Sequence, residues 1–434
     1  MNKLISSFIA VIFCSFQATA QINTTPASPQ TMPIAIKGAT IHCANSKIIK
    51  SGVLAFENGK ITHVEDMRSS TILNQDKYLW IDATGKQIYP GLIALNTQLG
   101  LNEIEAVKTT ADYRELGDFN SNLSTYFAYN TVSEVIPTVR TNGILFTQIS
   151  PVGGVISGQS SVMKLDGWNW EDALYKSDEG IYMYWPNLDS PTRGNEKNKD
   201  KIKPSEKFEK AVREIIEFFE SAQAYCNISK PDPINLKFEA MRKVFSNEKN
   251  IYIRAQNSIE MQSAVQAMDK FAIKPIIVGG AEAWKIIDLL KEKNISVILT
   301  EPHSLPVYED DLVSQNFQTA AELARNNINI AISVDGFWQV RNLPFQVGQC
   351  IAFGLDKEKA LDCVTINAAK ILGIDKSLGS LEIGKDASFI ISTGDIFDIS
   401  SNQVTEAYIN GAKLDLNNKQ QVLYHKYRKK YGLE

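Results

Sequence analysis

The chain has 434 residues, 44% of them hydrophobic and 22% charged. These are globular statistics, with length for one large domain and a smaller one, and they exclude a disordered or fibrous protein. Lys and Arg total 45 against 49 Asp and Glu, a formal charge of −4. That balance argues against nucleic acid or an anionic membrane as a partner of the chain as a whole.

Residues 1–20 carry a single Lys3, an apolar run over 4–16 and a small-x-small ending at Ala18-Thr19-Ala20. This is the layout of a secretory signal peptide cleaved before Gln21. The run is shorter than the ~20 residues a membrane span needs, and no later stretch replaces it. The expected location is therefore periplasmic or extracellular. Cys14 leaves with the leader, while Cys43, Cys226, Cys350 and Cys363 are scattered without metal-ligand spacing. They read as buried small hydrophobes, with a disulfide permitted but not demanded.

Residues 21–33, rich in Pro, Thr and Ser, form a linker. From 34 to 88, short apolar runs alternate with polar groups, and Asn58-Gly59 between two of them is a hairpin signal because its turn needs positive φ at both residues. Similar β patterning returns over 375–415, so both chain ends are expected to build one composite β-sandwich. Between them, 89–374 alternates strands and helices. Strands are expected at 143–149, 251–253, 275–278, 296–299 and 330–334, and helices at 206–222, 258–271, 282–293 and 316–325. Seven strands can be counted, and repeated βα units imply a parallel sheet covered by helices. The exception is 187–205, polar and turn-rich, either a cover over a site or an insertion. Residues 416–434 form a helical tail.

Four ordered stretches then carry a resemblance. They are Asp82-Ala83-Thr84-Gly85 leading to Pro90-Gly91-Leu92-Ile93; the glycine-rich 153–159; Val334-Asp335-Gly336 with Arg341-Asn342-Leu343-Pro344-Phe345; and Thr365-Ile366-Asn367-Ala368-Ala369 followed by 378–387. Together they resemble the amidohydrolase superfamily, in its imidazolonepropionase-like and dipeptidase-like branches, over about residues 34–413. The resemblance implies an α/β fold, a (β/α)8 TIM-type barrel with a small composite β-domain, whose active site lies at the C-terminal mouth of the strands. It also implies zinc or another divalent metal. The family's ligands are a His-x-His on strand 1, a Lys or Glu on strand 4, one His each on strands 5 and 6, and an Asp on strand 8.

This chain departs from that set almost everywhere. Strand 1 offers Asn96 and Gln98, strand 5 offers Arg254, strand 6 offers Gly279-Gly280, strand 4 has no convincing lysine, and Asp335 alone remains. Of the four histidines, His42, His63 and His425 fall outside the barrel; His303, after strand 7, is the one with a claim on the mouth. One imidazole and one carboxylate make a poor cage, since catalytic zinc uses three protein ligands and water. No metal and no other cofactor is therefore expected. Asp335 and Glu301 with carboxamides as a hard-ion site, and Glu103, Glu105, Trp168 and Trp170 as mouth residues, are weaker candidates.

Arg254 cannot lose its proton and opposes an incoming dication. It is expected to pair with Asp335; the alternative has Arg254 along the rim and Asp335 capping the loop before Pro344. The resulting assignment gives Asp335 and His303 catalytic roles and makes Arg254, Asn96, Gln98 and Arg341 ligand-binding. Three functions stand open. One is a hydrolase of carbon-nitrogen bonds other than peptide bonds, acting on a small amide or peptide-like molecule without the usual ions. Another is a silent relative that binds such a ligand, or pairs with a second copy or an active homologue. The third is a structural exported protein.

Overall fold

The computed structural model describes residues 26–68, 76–188, 204–305 and 311–433. The expected leader, most of the polar segment 187–205 and part of the 21–33 linker lie outside the described residues. Among these residues no helix is long and apolar enough to cross a membrane.

The first strands are β1 (Ile34–His42), β2 (Ile48–Glu57), β3 (Lys60–Asp66), β4 (Leu79–Asp82) and β5 (Gln87–Pro90). Asn58 and Gly59, with φ of 52° and 75°, turn β2 into β3 as the Asn-Gly pair predicts. The barrel strands follow as β6 (Leu92–Thr97), β7 (Ile144–Ile149), β8 (Ile156–Lys164), β9 (Leu174–Tyr184), β10 (Asn250–Ala255), β11 (Ile276–Gly279), β12 (Val297–Thr300) and β13 (Ile330–Ser333). They are hydrogen-bonded in that order from β6 to β13. Between the outermost strands, Gln98 N donates to Gly336 O at 3.0 Å and Ser333 Oγ to Leu95 O at 2.5 Å, which brings the sheet nearly to closure. The expected α/β barrel is borne out.

One strand runs against the expected parallel order. β8 is antiparallel to both β7 and β9. A parallel neighbour needs a crossover of a dozen or more residues, but only the short glycine-rich loop 150–155 separates β7 from β8, so the chain turns straight back. The later units are regular. Ser205 caps the helix Glu206–Cys226, and Asn257 with Glu260 forms a capping box on Ser258–Asp269. Gly373, at φ 63°, ends Ile366–Leu372 in the left-handed conformation that favours glycine.

The chain then returns through β14 (Phe389–Ser392), β15 (Val404–Ile409) and β16 (Ala412–Lys413) to complete the first sheet in the order β16-β15-β14-β5-β1-β2-β3, with β4 also on β1. In a flat sheet β2 and β14, three positions apart, would stand about 14 Å from each other. Yet Phe56 of β2 meets Phe389 of β14 with ring centroids 5.3 Å apart, and Tyr408 of β15 at 5.5 Å. The sheet therefore curls over its own core. The expected sandwich is a single sheet folded on itself, with register shifts in β1 around Ala39 and a positive φ at Gly38 where it bends.

Candidate functional site

The mouth is built from the ends of β6, β9, β10, β12 and β13. β6 slips register between Ala94 and Thr97, and Asn96 there takes φ 53°. Asparagine tolerates this left-handed conformation better than most residues. Its backbone N–H then donates to Gln148 Oε1 at 3.1 Å, and its side-chain Nδ2 donates to Asp335 Oδ1 at 2.6 Å. The other carboxylate oxygen, Oδ2, accepts from Arg254 Nη2 at the end of β10. Both side chains of this ion pair are mostly buried, at 25% and 23% exposure. The Arg254 guanidinium also lies over the Tyr184 ring, 5.8 Å from its centre. Burial opposes the charge on Arg254, but the Asp335 carboxylate outweighs it and lifts the pKa of the guanidinium above its ordinary value.

Below this cluster lies a polar network that sequence reasoning missed. Gln148 Nε2 donates to Glu179 Oε1 at 2.5 Å, Ser160 Oγ to the same oxygen at 2.6 Å, and Tyr252 OH to Glu179 Oε2 at 2.8 Å. Tyr182 OH donates to Gln148 Oε1 at 2.9 Å, and the Tyr182 and Tyr252 rings stack at 4.7 Å. Burial raises the Glu179 carboxyl above its usual range, against the pull of these three donors. Asp335, Asn96, Gln148 and Glu179 thus form one hydrogen-bonded chain from the mouth into the barrel. The apolar run Ile181-Tyr182-Met183 is short, and nothing around it marks the Glu179 carboxylate as interior.

The other candidates are placed elsewhere. His303 is exposed; its backbone N–H donates to Gln346 Oε1 at 2.9 Å and its ring packs edge-on against Phe317 at 5.4 Å. It lines an outer cleft of about 610 Å³ with Phe345, Gln349 and Phe397, and neither Asp335 nor Arg254 is part of that lining. Among the described residues no hydrogen bond joins the His303 ring, expected to face the mouth in a catalytic role, to Asp335 or Arg254. Arg341 folds back on its own turn, donating from Nη1 to Trp338 O at 2.5 Å and lying over the Trp338 ring, so it does not reach the cluster either. Gln98 is half-buried, and its side chain donates to Ser150 Oγ at 3.4 Å. Glu103 accepts from Asn130 and Ser133, and Trp170 packs on Tyr126 and Phe127. Lys237 is exposed on the helix Leu236–Phe245. Glu301, following β12 at φ 50°, is exposed at the rim of the mouth, its backbone N–H donating to Ser333 O at 3.2 Å; desolvation and the Asp335 charge raise its carboxyl, with Arg254 opposing.

These residues do not fit a transition-metal centre. The strand 1 positions offer carboxamides, which bind such ions weakly, and the strand 5 position is a permanent cation. At the strand 6 position no imidazole can be housed, because a Cβ on Gly279 would stand 2.8 Å from Ala255 O and from the Gln256 side chain. Among the described residues no group of three or more His, Cys, Asp or Glu side chains is placed to hold an ion.

The sequence pattern of the amidohydrolase family matches residues 88–414, from β5 through the barrel to the last strands of the first sheet. The chain belongs to the amidohydrolase family. By that membership it is a hydrolase-family protein. Within this amidohydrolase, a 42-residue stretch is 55% identical to imidazolonepropionase of Shewanella frigidimarina (strain NCIMB 400) and 52% identical to that of Shewanella sp. (strain ANA-3). Each match spans only 10% of this chain and 10% of the relative's length. Among solved structures, an amidohydrolase from Thermotoga maritima MSB8 superposes with a TM-score of 0.75 at 23% identity, covering 88% of this chain and 99% of that one. A putative prolidase from Bifidobacterium longum gives 0.53 at 14% identity, covering 92% and 100%. At these identities the likeness establishes the fold alone.

Proposed function

We propose that this amidohydrolase is an exported protein that binds a small amide or peptide-like molecule at the barrel mouth without metal-assisted hydrolysis. The observation that carries this reading is the state of Asp335. In an active relative the corresponding aspartate would move a proton; here Asn96 holds one of its oxygens and Arg254 the other. A carboxylate committed on both sides is a counter-ion before it is a base. Arg254 in turn supplies the fixed positive charge that a dication would otherwise bring, and a guanidinium suits the carboxylate or carbonyl oxygens of such a ligand.

A second reading has one observation in its favour. Glu301 stands beside the ion pair, where desolvation and the Asp335 charge raise its carboxyl above the usual range, the direction a general acid needs. It would act in metal-independent hydrolysis of a carbon-nitrogen bond outside peptides. Pairing with a second copy or an active homologue is the partner that a silent barrel would serve. Elemental analysis of protein purified without chelators, beside a hydrolysis screen of hydantoin-like and dipeptide-like amides, separates these. The proposal expects substoichiometric metal and no turnover. Turnover that disappears in Glu301→Gln supports the second reading, and stoichiometric zinc with turnover defeats both.

A further inference from the structure

The helix Lys419–Lys430, which follows β16, buries none of its residues. Among the described residues its hydrogen bonds and ion pairs to the rest of the chain lie near its start: Asn418 caps the Gln421 N–H, Thr138 Oγ1 donates to Gln420 Oε1 at 2.8 Å, and Lys419 pairs with Glu134 at 2.6 Å. Residues 416–433 contain Lys419, Lys426, Arg428, Lys429 and Lys430 and no acid, within a chain that is acidic overall. The whole-chain charge balance averages over this helix and hides it.

Its aromatic residues are arranged as well as exposed. Tyr424, Tyr427 and Tyr431 fall at i, i+3 and i+7, and Leu423 at i−4 from Tyr427 shares their face. The three tyrosines are 58%, 51% and 66% exposed. The flanking cations lean over these rings: Arg428 lies 5.6 Å from the Tyr424 centre, and Lys430 5.9 Å and 5.4 Å from those of Tyr427 and Tyr431. Among the described residues, no carboxylate lies within ion-pair distance of Lys426, Arg428, Lys429 or Lys430. We infer that this helix is a peripheral docking element for an anionic phospholipid surface. Its tyrosines and Leu423 seat at the headgroup level, and its cations pair with lipid phosphates.

The physical reasons favour lipid over nucleic acid as the occupant. Tyrosine, with an apolar body and a polar tip, suits the boundary between headgroups and acyl chains. Lysine and arginine stems extend along such a surface while their charges stay in the headgroup layer. Exposed Leu423 adds apolar area on the tyrosine face that a phosphate backbone would not use. The inference does not depend on the chemistry of the barrel mouth.

The test is co-sedimentation with vesicles of phosphatidylcholine alone and of phosphatidylcholine mixed with phosphatidylglycerol. Every arm uses the chain from Gln21, which keeps all described residues and drops the apolar run at 4–16. Binding is expected only to the mixed vesicles, weakening as salt shortens the Debye length. Reversing Lys426, Lys429 and Lys430 to Glu should weaken it at least about tenfold, each cation near such a surface contributing appreciably. Tyr424→Ser with Tyr427→Ser and Tyr431→Ser should also weaken it, with thermal unfolding unchanged because the helix buries nothing. The salt titration needs no variant, so it decides the matter even where a substitution disturbs the fold. No binding to mixed vesicles, equal binding to both vesicles, full binding by the Glu variant, or a preference for single-stranded DNA over vesicles would each overturn the inference.

Discussion

Asp335 is the residue on which the mouth turns. Asparagine at this position keeps the size and the Asn96 contact but leaves the Arg254 guanidinium without its counter-charge. Removing one partner costs about 3–5 kcal/mol in a fully buried pair and under about 1 in an exposed one. With both partners near one-quarter exposed, Asp335→Asn is expected to cost about 2 kcal/mol, read from the urea midpoint at unchanged slope. A loss below about 0.5 kcal/mol would place the pair among surface contacts. Asp335 and Arg254 were legible because each sits at a fixed offset in a recognisable strand motif. Gln148 and Glu179 were not, since each is one polar residue in an apolar or ambiguous run. Their meeting depends on how β7, β8 and β9 are registered, which no local pattern shows. His303 was placed after the correct strand, but the direction of its ring follows from Gln346 and Phe317, which are distant in sequence.

The helix Lys357–Cys363 shows how elements are coupled across the two sheets. Its Glu358 lies 2.9 Å from His42 of β1, and its Asp362 accepts from the Asn45 N–H at 2.7 Å in the turn between β1 and β2. Burial outweighs that hydrogen bond and raises the Asp362 carboxyl from 3.8 to about 6. A folded state that holds a proton more tightly than the unfolded chain is stabilised at low pH, and that contribution is lost as pH rises from 3.8 to about 6. Asp362→Asn should therefore show a flatter dependence of melting temperature on pH across this window than the wild type. Parallel curves would mean that Asp362 titrates normally. Several element types and boundaries were readable from apolar periodicity, as with the helices expected at 206–222 and 258–271 and observed as Glu206–Cys226 and Ser258–Asp269. The antiparallel course of β8 was not, because Ile156–Lys164 is rich in Ser, Gly and Gln, overlaps the glycine-rich stretch and has no apolar periodicity to mark it as a strand.

At the level of the whole molecule, the chain closes its first sheet with its last strands, and this has a consequence for how it unfolds. Ile390, Ala407, Ile409 and Leu414, from β14, β15 and the residues beyond, lie in the same continuous core as the barrel residues Leu92, Ile144 and Leu145. The opposite face of that sheet, with Phe56, Phe389 and Tyr408, forms its own core. β14 therefore faces both: Ile390 toward the barrel, Phe389 and Ile391 into the curled sheet. A domain joined to its neighbour only by linkers would melt on its own, giving two transitions in calorimetry. Here neither core is complete without a strand that the other also uses. The expected outcome is one transition in which calorimetric and van't Hoff enthalpies agree. Ile390→Ala, which opens a cavity at the shared face and costs about 2–5 kcal/mol, should lower that single transition without splitting it. Two resolved transitions in the wild type, or a variant that loses only one of them, would show that the sheet and the barrel fold as separate units.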